Sequence, residues 1–182
     1  MKGILLCILF GFFFGCDSDK KHSNKNNKLT SSNTFFQDRI ELVETSLKNK
    51  DYQTVILLCD SVLFFDSLQP PAYFYKGKAQ SELKEYTKSN LNLMNAIKLG
   101  IKDSAKVYFY IANNYLFMEK YMNAMFIYTK VIKINSSESK AYRNRGICYY
   151  YINRQQEACS DFDKALILGD TLVKDYITQY CK

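Results

Sequence analysis

From residue 36 onward, hydrophobic residues recur every three or four positions, in segments separated by short polar stretches. This spacing places the apolar side chains of each segment along one face of an α-helix. The last segment, residues 171–181, is a simple example of the pattern. Its apolar face consists of Leu172, Val173, Tyr176, Ile177 and Tyr180. The pattern predicts an all-α protein whose helices are joined by short turns.

The helical pattern also repeats along the chain. The aromatic residues Tyr73, Tyr108 and Tyr142 are 35 and 34 residues apart, and a small residue follows each of them four positions later. An earlier copy from residue 36 is degenerate, because Arg39 stands where the aromatic residue belongs. Repeats of this length are typical of stacked helical arrays. We therefore predict four repeats and a capping helix, at about 36–69, 70–104, 105–138, 139–170 and 171–181.

These residues resemble the tetratricopeptide repeat (TPR), a helix-turn-helix unit, over residues 36–181. The resemblance implies a right-handed α-solenoid of about four repeats, in which Gly77, Ala112 and Gly146 let the two helices of a repeat approach closely. Gly100 and Gly169 stand where the second helix of a repeat should end, and glycine suits the left-handed conformation found there. A single unit cannot bury its own apolar face, so stacking forms the core and the last unit needs a cap.

In the TPR family the first helices of successive repeats line a concave groove that binds peptides or protein segments. The corresponding positions here mix aromatic and basic side chains, which suits a partner with apolar groups and carboxylates. The alternative is that several of these aromatics pack against the next repeat while the cations stay solvated. The resemblance implies a groove formed by Phe74, Lys78, Lys106, Phe109, Asn113, Phe117, Lys140, Arg143, Ile147, Tyr150 and Tyr151.

The same resemblance implies a scaffold or adaptor that binds another protein. A specialised TPR groove clamps C-terminal carboxylates, but only Lys140 matches its residues, so we do not expect that function. The alternative is a module that binds glycan or peptidoglycan through the tyrosines of the groove.

Few residues in the chain suit catalysis. The single histidine, His22, makes histidine-based catalysis or a multi-histidine metal site very improbable. The chain shows no nucleophile elbow and no phosphate-binding loop. We expect no enzymatic activity, no cofactor and no small-molecule substrate.

The first fifteen residues predict a secretory signal. Lys2 precedes an apolar run from Ile4 to Phe14, and Gly15 stands directly before Cys16. This run is far shorter than the roughly 20 residues of a membrane-spanning helix. The stretch Phe-Phe-Gly-Cys resembles a bacterial lipobox, which implies cleavage before Cys16 and lipidation of its thiol. The alternatives are ordinary secretion and an uncleaved anchor.

Residues 16–34 predict a flexible tether, since Leu29 is their one large apolar side chain after the cysteine. If Cys16 carries a lipid, the chain is anchored to a membrane of the bacterial cell envelope. The outer membrane is the expected site, and the side it faces stays open.

The net charge of +7 is unevenly distributed. Residues 35–104 hold nine basic and nine acidic side chains, whereas residues 105–182 hold eleven basic and seven acidic ones. The excess therefore lies beside the expected groove. Since no recognition motif or clustered basic helix is present, we expect no nucleic-acid partner.

Cysteine usage suggests one cross-link. Cys59, Cys148, Cys159 and Cys181 follow Cys16, and none of them forms a CxxC or Cys/His zinc motif. Cys159 falls on the second helix of the last repeat, and Cys181 falls at the end of the cap. In an oxidising envelope we expect these two to form a disulfide, the alternative being buried free thiols.

Overall fold

The computed structural model describes residues 36–181. The chain divides into two units, Met1–Gln37 and Asp38–Lys182, and the helical array is the fold of the second unit. The expected signal, the lipidation site Cys16 and the tether lie outside the described residues.

Within the described residues the protein is all-α, with no strand, as the sequence pattern predicts. Helices of 13 or 14 residues alternate with short turns, and the last helix has 8 residues. The helices are α1 (residues 36–48), α2 (Tyr52–Phe65), α3 (Pro70–Glu82), α4 (Tyr86–Lys98), α5 (Ser104–Phe117), α6 (Tyr121–Ile134), α7 (Ser139–Tyr151), α8 (Gln155–Ile167) and α9 (Val173–Tyr180).

Local chemistry fixes several helix ends. Asp51 and Asp103 accept hydrogen bonds from backbone amides in the first turns of α2 and α5, which stabilises both helix starts. Pro70 stands at the start of α3, where a missing amide proton costs nothing. Gly100 and Gly169 have φ angles of +78° and +91°, the left-handed conformation expected after α4 and α8.

Small residues let the paired helices pack closely. At Gly77 on α3 an added Cβ would lie 2.8 Å from Cγ of Leu93 on α4, so no larger side chain fits there. Ser89 of α4 reaches the carbonyl oxygen of Gly77 with a hydrogen bond of 2.7 Å. Fully buried Ala112 occupies the equivalent position on α5. The small residues noted in the sequence therefore mark the helix–helix contacts within the repeats.

The first helices of successive repeats form the inner side of the array. Each helix from α2 onward packs on the next, and α3 also contacts α5, as α5 contacts α7. No comparable contacts join α4, α6 and α8. The first helices α3, α5 and α7 therefore lie closer together than the second helices, which makes their side concave.

The short helix α9 covers the last repeat. Val173 is fully buried, and the Tyr176 ring stacks on Phe162 with 5.3 Å between centroids. A disulfide joins Cys159 of α8 to Cys181 directly after α9, the pair expected from the sequence. The hydrophobic core of the fourth repeat is therefore closed at the C-terminal end of the array.

The other two described cysteines are buried free thiols, Cys59 and Cys148. Burial raises the pKa of each thiol to about 12. Because the thiolate is the reactive form of cysteine, both are chemically quiet near neutral pH.

Candidate functional site

A recess of about 630 Å³ opens on the concave side between α5, α7 and the turn from α8 to α9. We call it the α5–α7 groove. The turn supplies residues 169–172 as one wall. Five of the residues expected from the sequence meet in this groove: Phe109, Asn113, Phe117, Lys140 and Arg143.

The apolar part of the groove is accessible to a partner. Phe117 on α5 is 64% exposed, and Leu172 on the opposite wall is 67% exposed. The ring of Phe117 is held at one side by stacking on Tyr86, with 5.8 Å between centroids. Phe109 lies deeper and is half-buried, its ring meeting Tyr128 edge-on. The groove therefore presents a fixed aromatic surface that water covers in the free protein.

One of the two cations of the groove is already neutralised. Nη1 of Arg143 lies 2.6 Å from Oδ2 of Asp170, and both side chains are largely buried. The other carboxylate oxygen of Asp170 accepts a hydrogen bond from the backbone amide of Leu172 at 3.2 Å. Lys140 is exposed. Among the charged residues that line the groove, Lys140 is thus the cation available to a partner carboxylate.

A hydrogen-bonded network fixes the floor of the groove. Oδ1 of Asn113 accepts hydrogen bonds from Oη of Tyr128 at 2.5 Å and from Nδ2 of Asn144 at 3.1 Å. Tyr128 is fully buried, and burial raises the pKa of its phenol far above the usual range. The carbonyl of Asn113 therefore joins the third repeat to the fourth.

Three of the expected groove residues form a separate cluster between α3 and α5. Phe74 is only 7% exposed, and its ring packs against Tyr110 with 5.8 Å between centroids. Nζ of Lys106 lies 5.6 Å from the Phe74 ring, and Nζ of Lys78 lies 5.9 Å from the Tyr110 ring. Lys106 borders a smaller recess of about 260 Å³ that shares Phe109 with the α5–α7 groove. This cluster therefore flanks the groove, and the buried ring of Phe74 is not part of its lining.

The last three expected residues line a small pocket beneath α9. This pocket of about 70 Å³ includes Ile147, Tyr150 and Tyr151. Tyr150 packs on Tyr180 with 4.1 Å between centroids, and Tyr151 stacks on Tyr121 at 4.5 Å. Their rings pack against the cap and the preceding repeat, the alternative considered for the aromatic positions.

Sequence reasoning missed Asp170 and Leu172 as groove residues. Both follow Gly169 in a turn, whereas the expected positions all came from first helices. An Asp two residues before the apolar run of the cap is a typical helix-start residue, and that signal could have drawn attention to Asp170.

Residues 36–181 contain no group of three or more His, Cys, Asp and Glu side chains that could hold a metal ion. None of the helices in this range is both long and apolar enough to cross a membrane.

Comparison with known proteins gives relatives that match this chain over part of their length. No protein-family model matches the chain. It is 27% identical over 132 residues to Hsp70-Hsp90 organizing protein 2 of Arabidopsis thaliana, covering 70% of this chain and 21% of that protein. TPR repeat-containing protein MJ1428 of Methanocaldococcus jannaschii is 28% identical, over 67% of this chain and 21% of its own length. The chain thus spans about a fifth of these relatives.

Solved structures show the same architecture. A crystal structure of MamA matches with a TM-score of 0.70 at 22% identity, covering 89% of this chain and 99% of that one. The TPR domain of Arabidopsis OM64 matches with a TM-score of 0.58 at 27% identity, over 62% of this chain and 93% of its own. Residues 36–181 therefore have the tetratricopeptide-repeat fold, and one of the relatives is named for the same repeat.

Proposed function

We propose that this protein is a non-catalytic scaffold or adaptor that holds a segment of a partner protein in the α5–α7 groove. The observation that carries the proposal is the meeting of five expected residues in one concave recess. Exposed aromatic and aliphatic side chains stand there beside an accessible cation. Exposed apolar surface in a recess rimmed by polar groups is typical of a protein-binding site.

The lining of the groove defines the chemistry of the partner segment. Phe117 and Leu172 offer apolar contact on opposite walls, and Lys140 offers a charge to a carboxylate. Arg143 contributes no free charge because Asp170 occupies it. The groove therefore suits a segment with apolar side chains and one nearby acidic side chain. The name of one relative refers to organising Hsp70 and Hsp90; for this chain we propose only a protein partner.

No specific observation favours the glycan alternative. That alternative depends on accessible tyrosine rings, on which sugar rings could stack. Tyr150 and Tyr151, the tyrosines expected in the groove, are not part of its lining. Tyr150 packs on Tyr180, and Tyr151, which is 57% exposed, stacks on Tyr121. The protein partner is therefore the better supported function.

We also propose that the solenoid is attached to a membrane of the bacterial cell envelope, with the outer membrane as the expected site. The support is the sequence alone: a signal in residues 1–15, the lipidation site Cys16 and a tether through residue 34. Metabolic labelling with palmitate tests the anchor. We expect label on the wild-type chain and none on Cys16→Ser, and equal labelling of both would refute it.

Variants of the groove test the proposed function. Lys140→Glu combined with Phe117→Ala reverses the free charge and removes the aromatic ring. Loss of such contacts at the centre of an interface weakens binding by about tenfold or more. The matched control is Lys164→Glu combined with Ile167→Ala, which changes an exposed cation and an exposed apolar side chain on α8, outside the groove.

The measurement is capture of proteins from detergent-solubilised membranes, followed by dissociation constants for each protein identified. We expect the wild type and the α8 control to retain the same protein, and the groove variant to lose it. Equal recovery by all three chains would refute the groove, and so would the absence of any retained protein.

A further inference from the structure

Large apolar side chains also remain exposed on the second helices, away from the groove. On α4 and α6 these include Leu91 at 66%, Met122 at 60% and Phe126 at 58% exposed, with Met94 less so. None of them lines the groove or the pockets described above. Exposed apolar surface on a monomer marks a site of interaction when its side chains form a patch.

The exposed apolar residues recur at one position of the repeat. Leu57, Leu91 and Phe126 each stand five residues after the first residue of α2, α4 and α6, and Ser160 occupies that position in α8. Helical spacing places this position opposite the buried residues of each helix, such as Leu93. Packing between repeats therefore gives no reason for an apolar side chain at this position.

Lysines accompany the apolar residues on the same two helices. The sequences of α4 and α6 contain four lysines and no acidic residue. Lys88 is paired with Glu85 at 3.1 Å, and Nζ of Lys130 lies 4.9 Å from the Phe126 ring centroid. Lys98 and Lys133 are exposed and form no ion pair with another described residue.

Each helix combines both kinds of side chain on one face. Leu91, Met94 and Lys98 follow one another at intervals of three and four residues along α4. On α6, Phe126 follows Met122 by four residues and Lys133 follows Phe126 by seven, so these three side chains also share one face. We call this combined surface of α4 and α6 the outer face.

We propose that the outer face docks on a membrane surface that contains anionic lipids. Leu91, Met122 and Phe126 enter the boundary between headgroups and acyl chains, while Lys98 and Lys133 contact the lipid phosphates. Helices that combine exposed apolar side chains with lysines and contain no acidic residue are typical of surfaces that lie in this boundary. Charge complementarity thus favours an anionic surface as the occupant.

The shape of the outer face also favours lipid over a protein partner. Its side chains project from helices on the convex side of the array. A protein partner would have to supply a matching hollow for every side chain, whereas a fluid bilayer adapts to them. This docking uses none of the residues of the α5–α7 groove, so it is independent of the proposed function.

The chain contains no tryptophan, which allows a test specific to one position. In the full chain, Phe126→Trp places a single indole on the outer face. Ser160→Trp is the matched control, since Ser160 occupies the same repeat position on α8, which carries acidic residues. The probes are phosphatidylcholine vesicles with and without phosphatidylglycerol, both containing lipids with brominated acyl chains.

With anionic vesicles we expect the emission of Phe126→Trp to move to shorter wavelength and to be quenched by bromine. The emission of Ser160→Trp should stay unchanged. Because the readout comes from one side chain, attachment through the N-terminal residues cannot produce it. If anionic vesicles leave the Phe126→Trp emission unaltered, even while the chain sediments with them, the proposal is refuted.

Charge removal tests the role of the lysines. Lys98→Gln combined with Lys133→Gln in the Phe126→Trp chain should lower the ratio of docked to free outer face about thirtyfold, at about 1 kcal/mol per lysine. Quenching that is equal with and without phosphatidylglycerol would refute the anionic surface. A blue-shifted indole in the absence of vesicles, together with a dimer in sedimentation, would assign the outer face to a second copy of the chain instead.

Discussion

At the scale of single residues, Gly146 marks a close approach of α7 to α8. A Cβ there would lie 2.6 Å from Cε1 of Phe162 and 3.1 Å from the carbonyl oxygen of Ala158. Phe162 is fully buried and stacks on Tyr176, so its ring has little freedom to move. Overpacking a core costs about 1–3 kcal/mol, whereas alanine gains about 1 kcal/mol over glycine in a helix.

We therefore expect Gly146→Ala to lower the free energy of unfolding by about 1 kcal/mol. Chemical denaturation followed by circular dichroism measures this change. In a Phe162→Leu background the smaller side chain leaves room for the new methyl group, so the substitution should cost less. A Gly146→Ala protein as stable as the wild type would show that the two helices can move apart freely.

Residues that repeat along the chain were predictable, whereas single contacts between repeats were not. Gly77 and Gly146 stand out because each repeat requires a small residue where its two helices cross. Arg143 and Asp170 are 27 residues apart on different elements, and no periodic pattern links them. The position of Phe74 in its repeat predicts a groove residue, yet Tyr110 of the next repeat covers its ring.

At the scale of helices, turns and polar contacts add constraints that the apolar pattern does not reveal. The turn between the two helices of each repeat has a left-handed residue that is not glycine: Lys50, Lys84, Glu119 and Asn153, with φ between 57° and 61°. Residues other than glycine adopt this conformation only rarely. Because none of these four residues is glycine, the positions of glycine in the sequence could not predict these turns.

A buried amide also joins neighbouring repeats. Asn114 of α5 donates hydrogen bonds to Oγ of Ser89 at 2.8 Å and to Oδ1 of Asn90 at 2.7 Å. Its own carbonyl accepts a hydrogen bond from Oγ of Ser81 at 2.5 Å. Because a buried amide must find partners, this network favours one stacking register of α5 on α3 and α4.

The disulfide at the end of α9 ties this helix to α8. Cys159 and Cys181 are 22 residues apart, and closing a loop of this size stabilises a fold by about 3 kcal/mol in the chain-entropy model. We expect Cys181→Ser to lower the free energy of unfolding by about that amount. In the Cys181→Ser protein, amide hydrogen exchange should also become faster in α9 than in α7 or α8.

A reductant provides the control. It should destabilise the wild-type protein to the level of Cys181→Ser and leave the variant itself unchanged. Equal stability of oxidised wild type and Cys181→Ser would mean that packing of Val173 and Tyr176 alone holds α9 in place.

At the scale of the whole molecule, the solenoid offers two separate surfaces. The inner helices α5 and α7 form a groove with an aromatic wall and one available cation. The outer helices α4 and α6 present apolar side chains with lysines. An adaptor that is held at a membrane while it binds a partner requires two such surfaces.

The architecture was predictable because it depends on a property repeated along the chain. Helical periodicity and small residues spaced 34 or 35 positions apart predict the all-α solenoid, and the structure confirms it. The extent of the groove was not predictable in the same way. Its second wall, with Leu172, comes from the turn between the fourth repeat and the cap, and α9 covers Tyr150 of the fourth repeat.

We propose that a partner protein occupies the concave side of the array. A photo-crosslinking amino acid placed at Phe117, at Leu172 or at Leu57 in living cells shows which surface the partner contacts. Phe117 and Leu172 both line the groove, whereas Leu57 is 69% exposed on α2, outside the groove. We predict that Phe117 and Leu172 form adducts with the same protein and that Leu57 does not. A protein adduct at Leu57, with none at Phe117 or Leu172, would show that the partner does not bind in the groove.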